Sequence, residues 1–194
     1  ASSEELGRRL AINPEQIRKD LAFFGQFGKK GVGYYVAELK ESIGGILGLD
    51  HHWNVAIVGM GHLGAALANY QGIARLGFHL AAIFDVNPVV IGTRVGERRV
   101  EDIAYLAEII AERDIQIGVI AVPAIHAQGV ADKLVDAGIR GIWNFAPVNL
   151  HVPPHIPFVS EDLSVGLSSL SYYLTHTTGE GDNLPERIKE TLIK

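Results

Sequence analysis

The sequence contains no cysteine. That absence excludes a disulfide scaffold, a thiolate metal site, a cysteine nucleophile and any thiol-based redox switch. No apolar run approaches the ~18 residues that a membrane-spanning helix needs, so no membrane association is expected. The opening residues carry no secretory leader, and the cytoplasm is the expected compartment. No Y-x-x-x-K pair occurs, which removes the tyrosine–lysine dyad of short-chain dehydrogenases. Histidine offers no good metal site either. His151 and His155 are separated by Pro153 and Pro154, which prevent a helical ligand pair, and His51-His52 has no better spacing. No catalytic residue and no metal ligand is therefore assigned.

What is present is a chain of 194 residues, 47% hydrophobic and 20% charged, enough to bury a core. The net charge of −5 is unevenly spread: residues 1–48 hold seven Lys/Arg against six Asp/Glu, so the acidity belongs to the rest. Residues 17–37 contain Arg18, Lys19, Lys29 and Lys30 against only Asp20, a small basic patch on an acidic body. Near residue 50 the rhythm changes. Apolar runs at 55–58, 80–84, 115–122, 139–145 and 157–159 alternate with helical stretches at 63–76, 102–113 and 125–137, the pattern of a parallel α/β sheet. The expected division is 1–49, 50–160 and 161–194.

In the first unit, Ser2 and Glu5 have capping-box spacing and predict a helix over 3–10. Asn13 followed by Pro14 predicts a second helix ending at Gly25. A three-residue link between them gives helix-turn-helix spacing. Ile17, Leu21 and Phe24 form its expected core stripe, and Glu15, Arg18, Lys19 and Ala22 the opposite face. Arg18 and Lys19 on such a face suit base edges in a major groove; a merely solvated face is the alternative. The stretch 27–36 reads as a hairpin with Lys29, Lys30 and Gly31 at its tip, suited to a phosphate track or a narrow minor groove. The combination is a winged helix, with a plain charged turn as the alternative.

In the second unit, Gly59-Met60-Gly61-His62-Leu63-Gly64 is G-x-G-x-x-G, set directly after an apolar strand and opening a helix. The first glycine makes the turn, the second admits a pyrophosphate, and the third lets the helix pack on the strand; the helix start supplies amide donors. Asp85 ends the next strand, 21 residues beyond Gly64, where an acidic side chain bonds the adenosine ribose and repels a 2′-phosphate. NAD(H) is expected over NADP(H). Val122-Pro123 and Asn144-Phe145-Ala146 end two further strands and complete the expected cofactor set. Their apolar surroundings favour the neutral ring of NADH over the cationic ring of NAD, so NAD is expected to bind more weakly. His62 lies inside the glycine loop and is expected to line the phosphate site.

In the tail, Leu163, Leu167, Leu170 and Leu174 recur at helical spacing behind Ser160 and Asp162. The stripe either covers its own sheet or packs between two subunits, as a palindrome-reading protein requires. A polar, glycine-rich stretch and a short amphipathic end, 185–193, follow.

Ser2-Ser3-Glu4-Glu5-Leu6, Gln16-Ile17-Arg18-Lys19-Asp20-Leu21, Gly31-Val32-Gly33-Tyr34, Ile57-Val58-Gly59-Met60-Gly61 and Asn144-Phe145-Ala146-Pro147 together resemble the Rex family of bacterial redox-sensing transcriptional repressors. The resemblance covers residue 2 to about 176. It implies a homodimer that binds palindromic operator DNA when NADH is scarce and releases it when NADH accumulates. The implied architecture is a winged helix, a Rossmann domain and a C-terminal helix inserted between protomers. By motif match, Arg18 and Lys19 read the major groove and Lys29 and Lys30 belong to the wing. Gly59 to Gly64 hold the pyrophosphate and Asp85 the ribose. Tyr70 and Asp162 match positions that connect the nicotinamide pocket with the partner subunit. Leu163 stands where some members carry an aromatic that reaches the partner's cofactor site. The family has another helix before Ser2, so the winged helix expected here is truncated, with part of the stripe Leu6, Leu10, Ile17 and Leu21 exposed. A small NAD-dependent oxidoreductase, or a repressor sensing another nucleotide such as coenzyme A, are the alternative functions.

Overall fold

The computed structural model describes residues 1–29 and 31–176. Lys30, and with it one of the two expected wing lysines, lies outside the described residues, as does the amphipathic end at 185–193.

The chain opens with α1 (Ser3–Leu10) and α2 (Pro14–Phe24). Ser2 caps α1 by accepting from the Glu5 amide, and Asn13 caps α2 by accepting from the Glu15 amide. Between them Ala11 takes a left-handed conformation at φ 54°. The helices cross closely at Gly7, where a Cβ would come within 2.6 Å of the Ile12 carbonyl oxygen. Ile17 is buried in this crossing and Leu21 is half-buried, but Phe24 is exposed. The expected core stripe therefore ends one turn early, with the Phe24 ring set perpendicular to that of the exposed Phe23. Leu10 is exposed and Leu6 half-buried, as the stripe's expected partial exposure requires.

The expected hairpin at 27–36 is shorter than its sequence implied. One antiparallel bridge joins Lys29 to Gly33. Tyr34 pairs with Ala1 instead, donating to the Ala1 carbonyl and accepting from the N-terminal ammonium. Gly33, at φ 90°, is required here: a Cβ would collide with the Ala1 carbonyl. Val36 then starts α3 (Val36–Ile46). Its caps do not announce it, since Tyr35 gives no side-chain cap and Gly44-Gly45 weaken its last turns.

Trp53 joins the two parts, its indole donating to the Gly48 carbonyl at 3.0 Å. It opens β1 (Trp53–Val58), followed by α4 (His62–Ala68), α5 (Gln71–Arg75) and β2 (Phe78–Asp85). The continuous helix expected over 63–76 is broken. Asn69 donates its side-chain amide back to the Ala65 carbonyl and ends α4, and Tyr70 leads into α5. Next come β3 (Arg94–Val95) and β4 (Arg98–Asp102), a charged hairpin with no apolar run to reveal it. A 3₁₀ turn (Ile103–Tyr105) capped by Asp102 leads into α6 (Leu106–Glu112). β5 (Ile117–Ile120), α7 (Ala124–Asp136), β6 (Gly141–Asn144), β7 (Phe158–Ser160) and α8 (Ser164–His176) complete the described chain.

The seven strands lie in the order β3-β4-β2-β1-β5-β6-β7, parallel except for the β3–β4 edge pair. Leaving out β3, this is the doubly wound order of a Rossmann domain, and its direction reverses between β1 and β5. Side chains of β1 alternate between faces. Ala56 and Val58 join α6 and α7 in the larger core, with Phe84, Ile109, Ile120 and Leu134, while Val55 and Ile57 face α4. Arg113 locks α6 to the sheet, donating to the Ala81 carbonyl and pairing with Glu101 at 2.6 Å. α8 exposes Val165, Leu167 and Leu170, with Leu163 exposed just before it. It does not fold down to cover its own sheet. Among the described residues, no helix is long and apolar enough to cross a membrane.

Candidate functional site

The crevice at the reversal point is built by three glycines with separate tasks. Gly59 turns the chain at φ 102°, and a Cβ there would meet the Ala121 carbonyl oxygen at 2.6 Å and Val122 Cγ1 at 2.8 Å. Gly64 rests on the Gly59 carbonyl so closely that any side chain would collide with it. Gly61 differs from both. Its φ is −71°, open to any residue, and a Cβ there would meet no protein atom within 4 Å. Packing does not demand glycine at 61, whereas a ligand pressed against the loop backbone does. His62 and Leu63 open α4, with His62 exposed and Leu63 half-buried. α4 has seven residues, so its dipole is small and the loop geometry carries the case for binding.

Asp85 closes one side. Its Oδ2 accepts from the Met60 amide at 2.6 Å and its Oδ1 from the Asn87 amide at 2.8 Å. The carboxylate is thus held against the glycine loop with lone pairs to spare for ribose hydroxyls. On the other side, Val122 is half-buried and Pro123 exposed at the end of β5, and Phe145 packs against Trp143 with ring centroids 4.5 Å apart and planes tilted by 53°. Ala146 is buried. Ile125, in the first turn of α7, is exposed beside these strand ends; its apolar character next to Pro123 was the available signal, and the sequence pattern did not single it out.

Asn144 departs from the expected direct cofactor contact. It is fully buried, and its amide donates to the Ala146 carbonyl, the Val148 carbonyl and Ser160 Oγ, while its Oδ1 accepts from the Ala146 amide. Its own carbonyl accepts from the Glu161 amide. Every polar atom of the side chain is occupied within the chain. Asn144 is therefore a positioning residue that shapes the loop carrying Phe145 and Ala146 and ties it to β7.

Tyr70 stands in the break between α4 and α5, not within a helix as expected. It is 65% exposed, with its ring lying over Gly72. Asp162 caps α8, accepting from the Ser164 hydroxyl and amide, and these two bonds hold its carboxyl below the usual carboxylate range. Among the described residues of one chain the two are not hydrogen-bonded to each other.

On the helix-turn-helix, Arg18 is drawn back onto α1, donating to Ser3 Oγ at 2.7 Å and Glu4 Oε1 at 3.2 Å. Lys19 pairs with Glu15 across one turn at 3.3 Å and is otherwise exposed. Lys29 lies 6.0 Å over the Tyr35 ring, and Gly31 stands exposed at the tip of the turn. Arg18, Lys19, Lys29 and Gly31 are all exposed on the N-terminal unit, far in sequence from the crevice. The pattern had not marked Phe23, which is 85% exposed on α2 one turn after Lys19.

Comparison with known proteins places these features in a family. A family model described as a CoA binding domain matches residues 50–148. A redox-sensing transcriptional repressor Rex of Chloroflexus aurantiacus is 49% identical over 173 residues, covering 89% of this chain and 82% of that protein. A Rex of Clostridium perfringens is 45% identical, covering 90% and 82%. Among solved structures, the repressor RSP in complex with β-NAD+ and operator DNA matches with a TM-score of 0.87 at 42% identity, over 91% of this chain and 82% of that one. RSP in complex with β-NADH matches with a TM-score of 0.80 at 40% identity, over 91% and 83%.

The different tasks of the glycines make a direct test. Gly61→Ala is expected to leave thermal unfolding unchanged without ligand and to weaken dinucleotide binding by ~1–3 kcal/mol, the usual cost of overfilling a close contact. Gly64→Ala is expected to lower the melting temperature itself. Calorimetry that finds dinucleotide bound equally well by Gly61→Ala would remove the loop as a pyrophosphate cradle.

Proposed function

The chain belongs to the Rex family of redox-sensing transcriptional repressors, and we propose that it holds palindromic operator DNA as a homodimer while NADH is scarce and lets go as NADH fills the crevice. It is a regulator and not an enzyme. The observation that carries this assignment is the combination, in one chain, of a helix-turn-helix with a Rossmann crevice whose Gly61 faces open space. Residues 1–49 serve as the DNA-reading unit, 50–160 as the NAD(H) sensor and 161–194 as the dimerisation element. The protein works in the cytoplasm, where the DNA is.

Gly59 to Gly64 hold the pyrophosphate, with His62 at its edge, and Asp85 takes the adenosine ribose. Val122, Pro123, Phe145 and Ala146 surround the nicotinamide, whose neutral reduced ring suits their apolar surfaces better than the cationic oxidised one. Lys19, Lys29, Lys30 and Gly31 meet DNA. Arg18 joins them by exchanging Ser3 and Glu4 for a base or phosphate. α8 packs against a second subunit, which its exposed Val165, Leu167 and Leu170 favour. Tyr70 carries the signal across that interface to Asp162 of the other protomer.

The match to a CoA binding domain favours a second reading, in which coenzyme A is the effector. Both ligands share an adenosine diphosphate whose pyrophosphate the glycine loop would hold alike, but coenzyme A adds a 3′-phosphate on the ribose, which the Asp85 carboxylate would repel. Thermal shifts with NADH, NAD and coenzyme A separate the two.

The central experiment is fluorescence anisotropy on an operator duplex titrated with NADH and with NAD. NADH is expected to release the DNA at concentrations where NAD does not. Release by coenzyme A alone would transfer the assignment to the second reading.

Asp85→Ala removes a ribose acceptor and a charge that repels a 2′-phosphate. Calorimetry is expected to show NADH weakened by ~1.5–3 kcal/mol, as for a lost hydrogen bond to a charged group, and a smaller gap to NADPH. NADPH bound as tightly as NADH by the parent would sink the ribose assignment.

Tyr70→Phe removes one hydroxyl from an exposed ring and nothing from the core. It is expected to leave NADH affinity nearly unchanged while NADH-driven release from DNA declines. Release identical to the parent's would show that the signal travels by another route.

A further inference from the structure

We propose that Phe23 is a specificity-determining residue that reads the methyl group of a thymine in the operator's major groove. The inference deepens the repressor assignment and rests on it. Single exposed hydrophobic residues are ordinary on protein surfaces, so its exposure alone says little. Position is what makes this one informative. At about 100° per residue, Phe23 projects about 40° from Lys19 and about 120° from the buried Ile17. It belongs to the outward face of α2, beside Lys19, and not to the side that packs on α1.

The long polar side chains of that helix are already engaged within the chain. Arg18 is bonded to Ser3 and Glu4, Lys19 to Glu15, and Gln16 to Asp20 at 2.6 Å. Phe23 makes an edge-to-face contact with Phe24, with centroids 5.3 Å apart and ring planes at 87°. That edge-to-face contact steadies the ring at two torsion angles, so little freedom remains to be lost on binding. Of the surfaces a major groove offers, only the C5-methyl of thymine is apolar, and phenylalanine is among the side chains that contact it. Lys19, one turn before Phe23 on the same face, reaches for a neighbouring phosphate and leaves the ring facing the base edges beside it.

The test uses the full chain and a palindromic duplex enriched by it from a random-sequence pool, with each thymine replaced in turn by deoxyuridine. Losing one methyl contact is expected to weaken the parent about fourfold, the equivalent of ~0.8 kcal/mol for one buried methylene, at one thymine in each half-site. Phe23→Ala is expected to bind the unmodified duplex about as weakly as the parent binds the deoxyuridine duplex, and to be indifferent to that replacement. Phe23→Leu is expected to restore part of the sensitivity. Melting temperatures of both variants are expected to match the parent's, since the ring is 85% exposed. If Phe23→Ala and the parent respond alike to every deoxyuridine, Phe23 does not read thymine, while the repressor assignment stands because both still bind the duplex. A lowered melting temperature with an unaltered deoxyuridine profile would make Phe23 a packing residue and overturn the proposal. Failure of the parent to enrich any duplex would overturn the proposal and the repressor assignment together.

Discussion

Between the ends of β1 and β5 there is no room for one methyl group, and most of the crevice follows from that. Gly59 lies so close to the Ala121 carbonyl and the Val122 side chain that only a hydrogen fits between them. With Gly59 fixed at positive φ, its carbonyl becomes the surface on which Gly64 rests, and the start of α4 is fixed in turn. The Met60 amide is then aimed at Asp85 on the next strand. Three strand ends are held by two glycines and one carboxylate before any ligand arrives. A ligand entering such a loop has little backbone left to order, which is where binding free energy is otherwise lost.

The two faces of the sheet are unequally covered, and this bears on assembly. α6 and α7 close one face over a cluster in which Phe84, Ile120 and Leu134 are fully buried. The other face buries fewer residues, Val55, Ile57 and Val119 with Ile83 and Val100 in register beside them, and leaves Leu80, Ile117, Trp143 and Phe145 half-covered. α8 adds a row of exposed apolar residues to the same molecule. A chain with surplus apolar surface in two places gains by pairing them, and two copies related by a two-fold axis supply each other. In the proposed homodimer the same symmetry would set two helix-turn-helix units for the two halves of a palindrome.

Much of this was legible in the residues, and the gaps have physical causes. The caps at Ser2 and Asn13 and the doubly wound rhythm after residue 50 depend on local chemistry, and they appear where the sequence places them. β3 and β4 escaped because an edge hairpin of arginines carries no apolar run. α3 escaped because it has no side-chain cap. The break at Tyr70 depends on one asparagine bonding back to Ala65, a choice that helical periodicity does not encode. At the site, the glycine spacing located the loop but did not distinguish Gly61 from its neighbours; only the three-dimensional surroundings do that. Asn144 shows the opposite limit. Its place at a strand end suggested a ligand contact, while its partners, up to sixteen residues away, turn it inward.

Those partners bear on how a nucleotide can be felt at a distance. With no cysteine in the chain, redox state is sensed as relative occupancy by two forms of one ligand. Such a ligand shifts an equilibrium only by its different affinity for the two states, and the shift is reciprocal, so DNA weakens NADH by the factor that NADH weakens DNA. A coupling of ~1–3 kcal/mol, roughly 5- to 150-fold, is typical. That is the scale of one or two hydrogen bonds, and no rearrangement of the sheet is needed to supply it. Asn144 sits where such a difference can pass. Its amide holds the carbonyls of Ala146 and Val148 beside the crevice, and the same nitrogen reaches Ser160, two residues before the Asp162 cap of α8. On the proposed reading, a loop that shifts to accept a neutral ring strains the bond from Asn144 to Ser160, just ahead of α8. In a close-packed, fully buried position, strain of that kind passes on to neighbouring residues because there is no free volume to absorb it. In the homodimer proposed above, that path runs from Ser160 into α8 and through α8 to the spacing of the two DNA-reading helices.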